Sequence, residues 1–134
     1  MKRINEKIDE IQVFCQELQG MVPESFGEYV TDLKTKAACE RYAEKIVEAL
    51  VDLALLAIKH EGLEAPEQEN DSFALLEKAG LISEELAEKL QNAKGMRNIL
   101  AHQYGAVNDE IIFHAVSSEL TADAKEFIKQ IEKL

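Results

Sequence analysis

The sequence has no tryptophan, two cysteines, two prolines and three histidines among its 134 residues, and each scarcity closes off a class of protein. Cys15 and Cys39 lack metal-ligand spacing and fall among the apolar positions of helical patterns, so buried thiols in a reducing compartment are expected, not a disulfide. His60, His102 and His114 form neither HExxH nor another zinc pattern, and no resident metal or cofactor is expected. The six glycines make no GxGxxG or P-loop, and no Gly-x-Ser-x-Gly elbow occurs. Long hydrophobic runs are missing too. The longest, Leu53 to Ile58, has six residues, whereas a membrane span needs about 20. The opening Met1-Lys2-Arg3-Ile4-Asn5-Glu6-Lys7 turns charged again before any apolar stretch, unlike a signal peptide. A cytoplasmic protein without membrane attachment is the expectation. Basic charge is also short: 15 Lys and Arg face 26 Asp and Glu, a net charge of −11. A general nucleic-acid binder needs a basic surface. An acidic chain can engage RNA only through a local site or a partner that supplies positive field.

Strand signals are nearly absent, with no Asn-Gly or Asp-Gly hairpin turn. What the chain has is helical periodicity. Ile4, Ile8, Ile11, Cys15 and Leu18 recur at steps of four and three, forming one apolar stripe on a first helix. Gly20 and Pro23 interrupt it. A second helix is predicted from near Pro23 or Val30 to about His60, ended by Gly62 and Pro66. From Ile46 to Ile58 it is apolar almost all round, broken only by Glu48 and Asp52, so it is either central in its bundle or shared with another subunit. Glu61 to Asn70 is expected to be an exposed loop. A short helix follows from Asp71 to Lys78, capped by Asn70 or Asp71 and stopped at Gly80. Ser83 caps the next, with Glu84 and Glu85 in its first turn; it turns Leu86, Leu90 and Ala93 inward and ends near His102, ahead of Gly105. Asn108 caps the last, whose stripe is Val116, Leu120, Ala124, Phe127, Ile131 and Leu134. The expected architecture is all-α, an antiparallel bundle of four to five helices in a single domain, 1–134. The apolar surface of Ile46 to Ile58 exceeds what one small bundle should cover, which suggests a homodimer.

One stretch departs from the rest. The twenty residues between Glu88 and Asp109 contain no Asp or Glu, yet hold Lys89, Lys94, Arg97, His102 and Tyr104. A local cationic site on an acidic protein is what handling an anion requires. Arg97 and His102 are five residues apart, so an ideal helix separates them by roughly 140°. They share a face only if the helix ends or distorts near Ala101, whereas Asn98 and His102 share one directly. Taken on spacing alone, these residues serve either as a site or as capping and surface decoration at a helix end.

Arg97-x4-His102-x-Tyr104, with Asn98 directly after the arginine, resembles the signature of the HEPN superfamily, and specifically of its HepT-like toxins. The resemblance runs from about Arg41 through Leu120. Glu48-Ala49-Leu50-Val51-Asp52-Leu53-Ala54 is similar to the family's second segment, and Asp71 through Ile82 to its third. It implies a single HEPN-type domain acting as a homodimeric, metal-independent endoribonuclease, the toxin of a toxin–antitoxin pair. The matching arginine and histidine of two subunits line a shared cleft. By that analogy His102 activates the ribose 2′-OH or protonates the leaving oxygen, and Arg97 holds the scissile phosphate. DNA, lacking the 2′-OH, is no substrate. In HepT-like families a cognate minimal nucleotidyltransferase antitoxin attaches AMP to the tyrosine matching Tyr104 and silences the toxin.

Several assignments stay open. Asn98 either orients His102 or caps the frayed helix end. Tyr104 is the modified residue or an aromatic packed over the loop. Glu48 and Asp52, one turn apart, form a solvent-facing strip, or one of them faces the cleft and pairs with Arg97. Lys94 is expected to be solvated, and His60 and His114 to sit at the surface or at helix ends. The rival to a ribonuclease is a non-catalytic helical module that docks a minimal nucleotidyltransferase and completes its nucleotide or substrate pocket.

Overall fold

The apolar stripe of the N-terminal segment becomes the buried face of α1 (Lys2–Met21): Ile4, Ile8, Ile11, Cys15 and Leu18 are all buried. The computed structural model describes residues 1–68, 71–102 and 107–134. Within them the chain is helical throughout, without strands, and none of the helices is long and apolar enough to cross a membrane.

After α1 the long second helix begins close to the later of its two expected starts, Val30, and not at Pro23. A short α2 (Phe26–Thr31) is capped by the Ser25 hydroxyl, which accepts from the Glu28 N–H at 3.2 Å. Asp32 then adopts an extended backbone and restarts the chain as α3 (Leu33–His60). Its carboxylate accepts from the Thr35 N–H at 3.2 Å and from the Thr35 hydroxyl at 2.8 Å, so the break is a capped one. α3 has 28 residues, about 42 Å of helix. Ile46, Val47, Ala49, Leu50, Val51, Leu53, Ala54, Ala57 and Ile58 are all buried, because α1, α4, α5 and α7 surround the helix. Of the two placements open for so apolar a helix, the central one holds. Much of the apolar surface from which a dimer was inferred is covered within one chain, while Leu55 and Leu56 stay half-buried.

Gly62, at φ 70°, ends α3 in a left-handed turn that lets the Leu63 N–H reach back to the Ile58 carbonyl at 3.0 Å. The same closure ends α4 (Ser72–Lys78), where Gly80 has φ 78° and the Leu81 N–H donates to the Leu76 carbonyl at 2.9 Å. Asp71 makes no side-chain cap to α4; Asn70, the other candidate, lies outside the described residues. α5 (Glu84–His102) starts as expected, with the Ser83 hydroxyl accepting from the Leu86 N–H at 3.2 Å. Gly105 lies outside the described residues. The last helical run begins with α6 (Asp109–His114), where Asn108 Oδ1 accepts from the N–H groups of Glu110 and Ile111 at 3.0 and 3.3 Å. It is not one regular α-helix. A π-helical turn at Ala115–Glu119 intervenes before α7 (Leu120–Ile131). Beside it, the Ser117 hydroxyl donates to the Phe113 carbonyl at 2.6 Å, a contact that competes with the regular helix ladder. Val116, Leu120, Ala124, Phe127 and Ile131 are buried as the spacing predicts, and Leu134 is half-buried. Phe73 on α4 meets Phe127 on α7 edge to face at 5.7 Å, which fastens the shorter helix to the bundle. Cys15 and Cys39 are buried free thiols, both pushed above the usual thiol pKa by that burial.

Candidate active site

α3 reaches solvent along one strip. Arg41, Glu44, Glu48 and Asp52 follow each other at steps of three and four, which places them on one face of the helix. The strip lies between neighbours that divide it. Asp52 Oδ2 meets Lys7 Nζ of α1 at 3.5 Å, and Lys7 also holds Glu10 at 2.9 Å. Glu48 turns to α5 instead: its Oε1 lies 3.3 Å from Arg97 Nη2. Both sequence readings of the strip thus apply. It faces solvent, with the Glu48 side chain 41% exposed, and Glu48 is the carboxylate that pairs with Arg97.

Arg97 is fixed from two sides. Its Nη1 donates to Asn98 Oδ1 at 3.3 Å, and with Glu48 this orients a guanidinium that remains 31% exposed. Its Nε is enclosed and makes no hydrogen bond. Among the described residues Asn98 accepts from the neighbouring Arg97, and α5 runs on past it to His102. His102 is exposed in the last described turn of α5. Because α5 is helical across the whole interval, Arg97 and His102 leave it about 140° apart. The structure therefore brings Arg97, Asn98 and Glu48 together and leaves His102 outside that group within one chain. Tyr104 lies outside the described residues.

Two residues have positions the sequence reading did not anticipate. Lys94 is not solvated but 6% exposed. Leu86 and Leu90 are both buried, and a further step of four reaches Lys94, which joins the inward stripe beside the half-buried Ala93. Arg41, which spacing on α5 gives no reason to consider, joins the site through Glu48, with Nη1 3.8 Å from the same Oε1 and 3.4 Å from Glu44 Oε2. Its signal was its place seven residues before Glu48, two turns along the same face. His60 and His114 are exposed and lie in the last turns of their helices. Among the described residues, no three His, Cys, Asp or Glu side chains gather closely enough to hold a metal ion.

An oriented, half-exposed guanidinium can bind a phosphate oxygen and stabilise charge that develops there. Comparison with known proteins identifies the family of the chain. The family model described as ribonuclease HepT-like matches residues 4–131. The chain is 34% identical over 89 residues to the mRNA nuclease HepT of Shewanella oneidensis, an alignment covering 66% of each protein, just under two thirds of that relative's length. Among solved structures, it resembles the tri-AMPylated Shewanella oneidensis HEPN toxin in complex with MNT antitoxin, with TM-score 0.89 and 27% identity over 98% of this chain and 97% of that one. It also resembles a chain of a toxin–antitoxin complex with AMP-PNP, with TM-score 0.87 and 28% identity over 96% of both. With the family model spanning nearly its whole length, the chain belongs to the HepT-like ribonuclease family.

Proposed function

We propose that this protein is the RNA-cleaving toxin of a two-protein system, with Arg97 and His102 as its catalytic residues. The observation that carries the reading is the guanidinium of Arg97, held half-exposed between Glu48 and Asn98 on the helix that also ends in His102. His102 takes the proton of a ribose 2′-OH, or gives one to the departing 5′-oxygen. The 2′-oxygen attacks the neighbouring phosphorus, the bond to the 5′-oxygen breaks, and a 2′,3′-cyclic phosphate and a 5′-hydroxyl result. Arg97 stabilises the charge gathering on the non-bridging oxygens. Since the nucleophile belongs to the substrate, the reaction spares DNA, and with His102 moving the proton and Arg97 taking up the charge it runs without a metal. Asn98 and Glu48 position Arg97; Asp52, engaged with Lys7, is an outlying member of the same strip.

The divergence of Arg97 and His102 around α5 calls for a homodimer, in which the histidine of one subunit approaches the arginine of its partner. An acidic protein engages RNA only within such a cleft, while its lasting partner is the cognate minimal nucleotidyltransferase. That antitoxin transfers AMP from ATP to the Tyr104 hydroxyl, releasing pyrophosphate. The same divergence favours one rival: a non-catalytic module that docks the nucleotidyltransferase and completes its pocket. RNA cleavage with and without EDTA, with His102→Ala as control, separates the two. Cleavage that survives chelation, leaves cyclic phosphate ends and vanishes in His102→Ala is expected. RNA left intact by the wild type selects the docking module, and activity lost on chelation and restored by Mg²⁺ overturns the assigned chemistry.

A further inference from the structure

Arg41 and Arg97 come from different helices, yet both approach Glu48 Oε1, at 3.8 and 3.3 Å. Their nearer nitrogens therefore lie no further apart than those two lengths laid end to end, about 7 Å. That is comparable to the distance between neighbouring phosphates along a single strand. We propose that Arg41 is a second phosphate-binding residue of the site, gripping the RNA backbone next to the phosphate held by Arg97, with Glu48 as the carboxylate that sets their spacing. The proposal rests on the reading of this protein as a ribonuclease.

Three observations support it. Arg41 is 59% exposed, and its closest approach to both Glu44 and Glu48 is through Nη1, so further donors of its five N–H groups remain for a ligand. Its carboxylate contacts, at 3.4 and 3.8 Å, are long and solvent-screened, and such exposed pairs contribute little. The remaining donors of the fork can therefore take a phosphate that offers two oxygens while Nη1 stays beside Glu48. Finally, on a chain of net charge −11 a single arginine must hold a polyanion against overall repulsion. A neighbouring cation on the same carboxylate supplies local attraction where the reaction takes place.

The test uses a fluorescein-labelled single-stranded RNA, kept intact by working in the His102→Ala protein, with anisotropy titrations at a series of salt concentrations. Adding Arg41→Gln should weaken binding about tenfold at low salt and lower the slope of log Kd against log salt by about 0.7, the share of one phosphate contact on a single strand. Arg41→Lys, which keeps the charge, should keep the slope. Thermal melts of both variants verify folding. Unchanged affinity and slope in Arg41→Gln overturn the proposal. So does a fall in kcat at unchanged KM and slope with His102 restored, which would make Arg41 only a support for Glu48. Lost binding to the nucleotidyltransferase with RNA affinity intact overturns it as well, assigning Arg41 to a protein interface. In those outcomes wild-type cleavage continues and the ribonuclease reading stands. A wild type that neither binds nor cleaves RNA removes both.

Discussion

Arg97 shows how much a single side chain depends on neighbours remote in sequence. A guanidinium at the surface samples many rotamers, and holding it costs conformational entropy. Here Asn98 contributes from the adjacent position and Glu48 from another helix, so the fork is oriented before a ligand arrives. Tyr104 is the residue at which the proposed control acts. It follows His102 by two positions, and an AMP group on its oxygen brings a phosphate able to compete with RNA for Arg97 and a base that obstructs entry. Tyr104→Phe removes the acceptor oxygen and keeps the ring. This variant should fold normally and escape silencing by the nucleotidyltransferase with ATP. Intact mass should rise by one or more AMP units in the wild type and stay constant in Tyr104→Phe; a rise in the variant would place the modification elsewhere.

Among the elements, the last helical run carries the most unexpected feature. Asn108 starts it by accepting two backbone N–H groups, and the π turn at Ala115–Glu119 then shifts its course before α7. Single π turns inside helices occur frequently at functional sites, and this one lines a cleft of about 230 Å³ together with Lys89, Met96 and Ile111. Ile111 is 61% exposed although it lies beside buried Ile112. The cap is the simplest part of this region to test. Asn108→Ala leaves two N–H groups without their acceptor and should cost about 1 kcal/mol. That corresponds to a melting temperature lower by about 4 °C. An unchanged melting curve would mean that the first turn of α6 adds nothing to global stability.

At the scale of the whole molecule, the central placement of α3 changes what a dimer has to rest on. Most of Ile46 to Ile58 is enclosed by the chain's own helices, with Leu55 and Leu56 half-buried, so association has no large uncovered core to draw on. It would be built instead around α5 and the polar strip of α3, where a composite cleft needs the partner. Such an interface has a wetter, more polar character than an obligate one. Sedimentation at micromolar concentration should give twice the chain mass of 15.1 kDa. A monomer at every accessible concentration would remove the composite cleft and, with it, the pairing of Arg97 and His102 across subunits.

The helical class, the buried stripe of α1, the caps at Ser83 and Asn108 and the stop at Gly80 were legible in the sequence, because each depends on residues a few positions apart. Periodicity places Ile4 through Leu18 on one face whatever surrounds them, and a serine or asparagine before a helix satisfies N–H groups next to it in the chain. Arg97, His102 and Tyr104 stood out for the same local reason, as a motif in an acid-free stretch. What required the tertiary structure was every choice between neighbours. Only packing decided that α3 is central, that Glu48 goes to Arg97 while Asp52 goes to Lys7, that Lys94 lies inward, and that Arg41 comes to share a carboxylate with a residue of α5. Local pattern fixes which face a residue occupies. Which partner waits on that face depends on how the helices pack around one another, and spacing along the chain carries no record of that.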